Sequence, residues 1–113
     1  MPQAKMVVYS SPSSPDREDE YNKWYNEIHL AEVCAMPGIL SAVRFSMSEA
    51  QMVPGVTVAG HRYMAIYEVD APDFTALLAD MLARSQDGRF TMSDAIDMTA
   101  NPPITLMFEP LAG

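Results

Sequence analysis

The sequence predicts a single α+β domain, and three observations carry that prediction. Four short runs are rich in β-branched and aromatic residues. Two stretches between them carry apolar residues at helical spacing, in the order β-α-β-β-α-β. The length of 113 residues, 49% of them hydrophobic, fits one core.

Lys5 to Ser10 is the first strand, with Met6, Val7, Val8 and Tyr9 in a row. Ser11 to Asp16 holds two prolines and three serines and is a loop. Asp16 is placed to cap the first helix, and Glu18, Asp19 and Glu20 fill its first turn, where the helix dipole favours negative charge. At 3.6 residues per turn, Tyr21, Trp24, Ile28, Ala31 and Ala35 share one face, with Tyr25, His29 and Glu32 along its edge. The helix stops before Pro37, whose ring cannot continue it, and Gly38 can take the left-handed conformation. Ile39 to Ser48 is the second strand. Ile39, Val43, Phe45 and Met47 point to one side; Leu40, Ala42, Arg44 and Ser46 point to the other. Glu49 to Gly60, with Pro54 and two glycines, is a hairpin-like connection. His61 to Asp70 is the third strand, with Tyr63, Ala65, Tyr67 and Val69 on one face and Met64 and Ile66 on the other. Asp73 to Arg84 is the second helix, opened by Asp70 or Pro72 and carrying Phe74, Leu77, Leu78, Met81 and Leu82 at helical spacing. Gln86 to Pro103 is irregular, with room for a helical turn at Ser93 to Met98, and Ile104 to Glu109 is the last strand.

That order is the ferredoxin-like arrangement, a four-stranded antiparallel sheet with both helices on one face. An antiparallel sheet with one wet face alternates cleanly between apolar and polar residues. Here the strands carry apolar residues on both faces. One set packs under the helices. The other needs a cover that a chain of this length does not supply, and the expected cover is a second copy in a homodimer.

The net charge of -8, with only seven scattered Lys and Arg residues, excludes nucleic acid and anionic membrane surfaces as expected partners. No apolar run approaches the ~20 residues of a membrane span, and the N-terminal stretch is too quickly polar for a signal peptide. The single cysteine, Cys34, rules out an internal disulfide and suits a reducing compartment, so the expected location is the cytoplasm. Two histidines 32 positions apart, with no acidic ligand pattern, make no metal site, and no dinucleotide, phosphate-loop or serine-hydrolase motif is present. No cofactor is expected.

The chemistry-bearing residues gather on the first helix. His29 is the candidate general acid or base, because its ordinary pKa lies near working pH. Tyr25, four positions before it, could orient it or donate to a carbonyl oxygen; Glu32, three after, could fix its tautomer. Each has a plainer reading, as a structural ring, a core tyrosine or a solvated edge. Arg44, mid-strand, could hold a substrate carboxylate or phenolate, or pair with Glu32 or Glu68. Tyr63 and Tyr67 point together, as pocket-lining hydroxyls or as core. His61 is expected to be exposed, and Cys34 inert. Ten methionines suit an adaptable apolar cavity or simple gap filling.

Trp24, Tyr25 and His29, then Pro37-Gly38, then a strand ending Arg44-Phe45, resemble the dimeric α+β barrel superfamily, and within it the EthD-like branch. The resemblance implies two sheets packed face to face in a dimer, and a pocket in each subunit between sheet and helices. It also implies a range of activities, among them cofactor-free monooxygenases, polyketide cyclases, lactone isomerases and haem enzymes; this chain is about half the length expected of the haem-binding relatives. The long Gln86 to Pro103 segment departs from the pattern and could line or lid the pocket. The site expected from residues and resemblance together has His29 and Tyr25 as catalytic groups, with Trp24, Glu32, Arg44, Phe45, Tyr63 and Tyr67 around the substrate. The expected function is a cofactor-free cyclase, isomerase or lyase acting on a hydrophobic, oxygenated small molecule. The alternatives are a non-catalytic carrier or accessory of a catabolic pathway, or a cofactor-independent monooxygenase.

Overall fold

The computed structural model of the protein describes residues 2–111. Four strands, β1 (Gln3–Ser10), β2 (Ile39–Ser46), β3 (Tyr63–Asp70) and β4 (Ile104–Phe108), form one antiparallel sheet in the order β2-β3-β1-β4. Two helical rods pack on one face. The first begins with a 3-10 turn (Pro15–Arg17). It continues through α1 (Glu18–Trp24), a π-helical turn (Tyr25–His29) and α2 (Leu30–Cys34); the second rod is α3 (Phe74–Gln86). This is the ferredoxin-like order and the α+β class that the sequence predicts.

Asp16 lies inside the opening 3-10 turn and accepts from the Ser14 hydroxyl, so it does not cap the helix as expected. Asp73 itself caps α3, its carboxylate accepting the Ala76 N–H at 3.0 Å. Gly38 turns the chain from α2 into β2 at φ +95°, and a Cβ there would meet the Ala71 Cβ at 3.1 Å. The core lies between sheet and rods, where Met6, Ala65, Tyr67 and Val69 meet Tyr21, Trp24, Val33 and Leu77.

Two irregularities alter the predicted faces. The first rod buries Tyr21, Trp24 and Tyr25, but then Val33 and Met36, while Ile28 is 38% exposed and Ala31 and Ala35 face out. The π-helical turn takes up one extra residue and rotates the inward face by one position. His29 therefore goes under the rod where Ile28 was expected. In β2 the register shifts between Ile39 and Ser41, so Leu40 is squeezed outward. Ile39 joins the core, and Ala42 and Arg44 follow on the helix side; Val43 and Phe45 point away from it. The predicted set of Ile39 with Val43 and Phe45 is thus split.

The sheet face away from the helices carries Val43, Phe45, Leu106 and Phe108, all more than two-fifths exposed, and on it Lys5 and Glu68 form an ion pair. The helical turn expected at Ser93 to Met98 does not form. Its backbone groups bond to the loop after β1 instead: Ser13 N–H donates to the Ala95 carbonyl at 2.6 Å and Asp97 N–H to the Ser11 carbonyl at 2.9 Å. Phe90, Ala95 and Ile96 join the core and strap this segment across the open end of the sandwich.

Candidate functional site

A cavity of about 430 Å³ lies between sheet, rods and strap. Val8 and Tyr67 line it from the sheet, Tyr25 and His29 from the π-helical turn, Met81 from α3 and Phe90 from the strap. π-Helical turns inside α-helices are often found at functional sites, and this one carries the two rings.

The His29 ring is clamped on three sides. It stacks on Trp24 with centroids 4.7 Å apart and planes at 22°, and meets Tyr25 and Phe90 edge-on at 4.9 and 5.7 Å. Its Nδ1 is buried and has no hydrogen-bond partner among the described residues. Burial disfavours the charged form and brings the pKa down from 6.5 to about 4; Glu32 opposes the shift and Arg44 adds to it. The imidazole is neutral at pH 7. The Tyr25 and Tyr67 hydroxyls lie 3.5 Å apart. Burial pushes the Tyr25 phenol up to about 12 and raises that of Tyr67 as well, so both remain protonated.

Of the other expected site residues, Trp24 stacks on His29 without lining the cavity, and Glu32, Arg44, Tyr63 and Phe45 stand outside this group. Trp24 Nε1–H donates to the Thr91 carbonyl at 2.7 Å. The Glu32 carboxylate accepts both the Thr91 N–H and its hydroxyl, at 2.7 and 2.9 Å. Both residues tie the strap to the first rod, and Glu32 makes no hydrogen bond to His29. Arg44 pairs with neither Glu32 nor Glu68. Its guanidinium donates to the side-chain oxygens of Asn26 and Asn22 at 2.9 and 3.0 Å and lies 4.2 Å from the centre of the Tyr25 ring. Arg44 therefore buttresses the outer side of the Tyr25 wall and does not line the cavity. Tyr63 stands with it, its hydroxyl accepting from Asn22 and its ring tilted against Tyr21. Phe45 is on the far face of the sheet, beside a smaller depression of about 160 Å³ shared with Tyr9 and Met64. The shift at Leu40 is what sends it there.

His61 corrects the expectation of exposure: it is only 1% accessible. Its Nε2 donates to the Pro102 carbonyl at 3.1 Å, so its Nδ1 accepts from the Ser11 hydroxyl at 2.6 Å. It ties the loop after β1 to the end of the strap that leads into β4. Cys34 has its thiol pKa raised by burial, consistent with an inert side chain. Sequence reasoning missed Phe90, whose one signal is that it is the only aromatic residue between Gln86 and Pro103. Among the described residues no three His, Cys, Asp or Glu side chains come together as metal ligands would, and no helix is long and apolar enough to cross a membrane.

Fold and site together define a ferredoxin-like α+β protein with an apolar cavity and one clamped, neutral histidine in its wall. No family model matches the chain, and no curated protein or solved structure matches it.

Proposed function

We propose that the chain is a cofactor-free enzyme that takes a hydrophobic, oxygenated small molecule, aromatic or polyketide-like in skeleton, into this cavity. His29 serves as its general acid or base in a cyclisation, isomerisation or elimination. The observation that carries the reading is an imidazole held by three aromatic rings at the wall of an apolar cavity, beside two phenols that stay protonated. A neutral imidazole can donate its ring N–H to a carbonyl oxygen and polarise it, which eases loss of a proton from the neighbouring carbon. Tyr25 and Tyr67 can donate to the oxyanion that develops, and exclusion of water strengthens both interactions. The resemblance of Trp24, Tyr25, His29, Pro37, Gly38, Arg44 and Phe45 to the EthD-like branch supports the same reading. It also supports a homodimer built on the apolar outer sheet face. A free thiol at Cys34 supports a cytoplasmic setting.

A non-catalytic carrier is the second reading, and one observation favours it. Glu32 is engaged by Thr91, so no carboxylate hydrogen-bonds the imidazole to orient it. Mass spectrometry of protein purified from its native host would identify the ligand. Turnover of that ligand by wild type and His29→Ala then separates the readings. Loss of a general acid or base costs on the order of 10²-fold in kcat. An unchanged rate removes His29 from the mechanism, and binding without turnover establishes the carrier.

A further inference from the structure

We infer that the cavity selects an uncharged ligand that accepts hydrogen bonds, such as a ketone, quinone, lactone or ester on an apolar skeleton, over carboxylates and amines of the same shape. The inference deepens the reading above and rests on the cavity being the binding site.

The first support is the absence of a countercharge. Among the described residues, none of the side chains lining the cavity is a lysine, arginine, aspartate or glutamate. The two charges closest in kind to a substrate clamp are already committed. Arg44 spreads its fork over Asn22 and Asn26 behind the Tyr25 ring, and Glu32 holds Thr91. Burying a charge without a partner costs far more than burying a neutral polar group. The net charge of -8 sets the long-range field against anions as well.

The second support is the sense of the hydrogen bonds on offer. His29 Nδ1 is buried and unpartnered. Orphaned buried N–H groups are rarer than under-satisfied acceptors, so the neutral ring carries its proton on Nε2. Nε2 is then the nitrogen left to meet a ligand, and it meets it as a donor. Of the two phenolic protons on Tyr25 and Tyr67, one is used between the hydroxyls, and Ser10 stands as a further partner of Tyr25. Ser85 already donates its proton to the Leu82 carbonyl at 2.7 Å. The wall thus offers the His29 N–H to a ligand oxygen and presents no formal charge. The volume of about 430 Å³ falls within the range of small-molecule sites.

The test uses the wild-type protein and its one tryptophan, Trp24, whose fluorescence reports on the ring stacked against it. Three probes of matched shape are titrated at pH 7: 1-adamantyl methyl ketone, 1-adamantanecarboxylate and 1-ethyladamantane. The ketone is expected to bind about 10-fold tighter than the hydrocarbon, as one neutral hydrogen bond allows. It should bind on the order of 100-fold tighter than the carboxylate, whose charge finds no partner. In His29→Phe the ketone should lose its advantage over the hydrocarbon while the hydrocarbon still binds. A carboxylate that binds as well as the ketone overturns the inference and leaves the cavity reading standing. So does a ketone no better than the hydrocarbon, or an advantage that survives in His29→Phe. Failure of all three probes overturns the cavity reading, and the inference with it.

Discussion

Replacing His29 with phenylalanine is expected to stabilise the fold at neutral pH and to flatten its response to acid. The substituted ring keeps the stack on Trp24 and the edge contacts with Tyr25 and Phe90, and the adjoining cavity absorbs its small excess of volume. It removes the unpartnered Nδ1, which relieves about 1 kcal/mol. The acid response follows from the pKa, about 4 in the folded protein against 6.5 for a free imidazole. Above 6.5 neither state binds the proton, and His29 contributes nothing to pH dependence. Between 6.5 and 4 the unfolded chain is protonated and the folded one is not, so stability falls with pH by about 1.4 kcal/mol per unit. At pH 5 the loss reaches roughly 2 kcal/mol, and below 4 it levels off. The variant lacks this limb, so its advantage should grow from about 1 kcal/mol at pH 7 to about 3 kcal/mol at pH 5. Urea unfolding of both proteins at the two pH values, followed through Trp24, measures the difference; other titrating groups cancel between them. An advantage that does not change with pH would refute the claim that His29 is held neutral by burial.

Gly38→Ala should lower stability by about 1–3 kcal/mol in the same urea assay, because alanine is strained at φ +95° and its methyl group crowds Ala71. Unchanged stability would mean the turn relaxes freely. Glu32→Gln should weaken the hold on Thr91 by about 1 kcal/mol, read as faster hydrogen exchange at the Thr91 amide with β1 unaffected; equal protection would show that Glu32 does not hold the strap. Val43→Asp places a charge on the exposed apolar sheet face. It should convert a dimer to a monomer in sedimentation, and a wild-type protein that sediments as a monomer at micromolar concentration refutes the proposed homodimer.

The fold was legible because each element carries its own period: alternation in Tyr63 to Val69, helical spacing from Phe74 to Leu82, and a stop at Pro37-Gly38. The site was legible only in part. His29 stood out as a titratable ring beside Trp24 and Tyr25. Its inward orientation depends on a π-helical turn that no residue in the run announces, since a regular helix would have buried Ile28. Phe45 and Ile39 part company through a register shift at Leu40, which is a property of pairing with β3 and not of β2 alone. Arg44 carried a signal of charge in a strand, but its partners are the neutral amides Asn22 and Asn26, and a search for opposite charge misses them. His61 gave no sign of burial because its partners, Ser11 and Pro102, are 50 and 41 residues away and come together only in the fold.

Long-range proton–nitrogen NMR of the His29 ring, followed through pH and then with 1-adamantyl methyl ketone at pH 7, bears most directly on the central claim of a neutral imidazole offered to a ligand. The account predicts a proton on Nε2 at pH 7, a titration midpoint near 4, and a shift on ligand addition at Nε2 larger than at Nδ1. A midpoint near 6.5 that the ketone does not move would place the ring in solvent and contradict it.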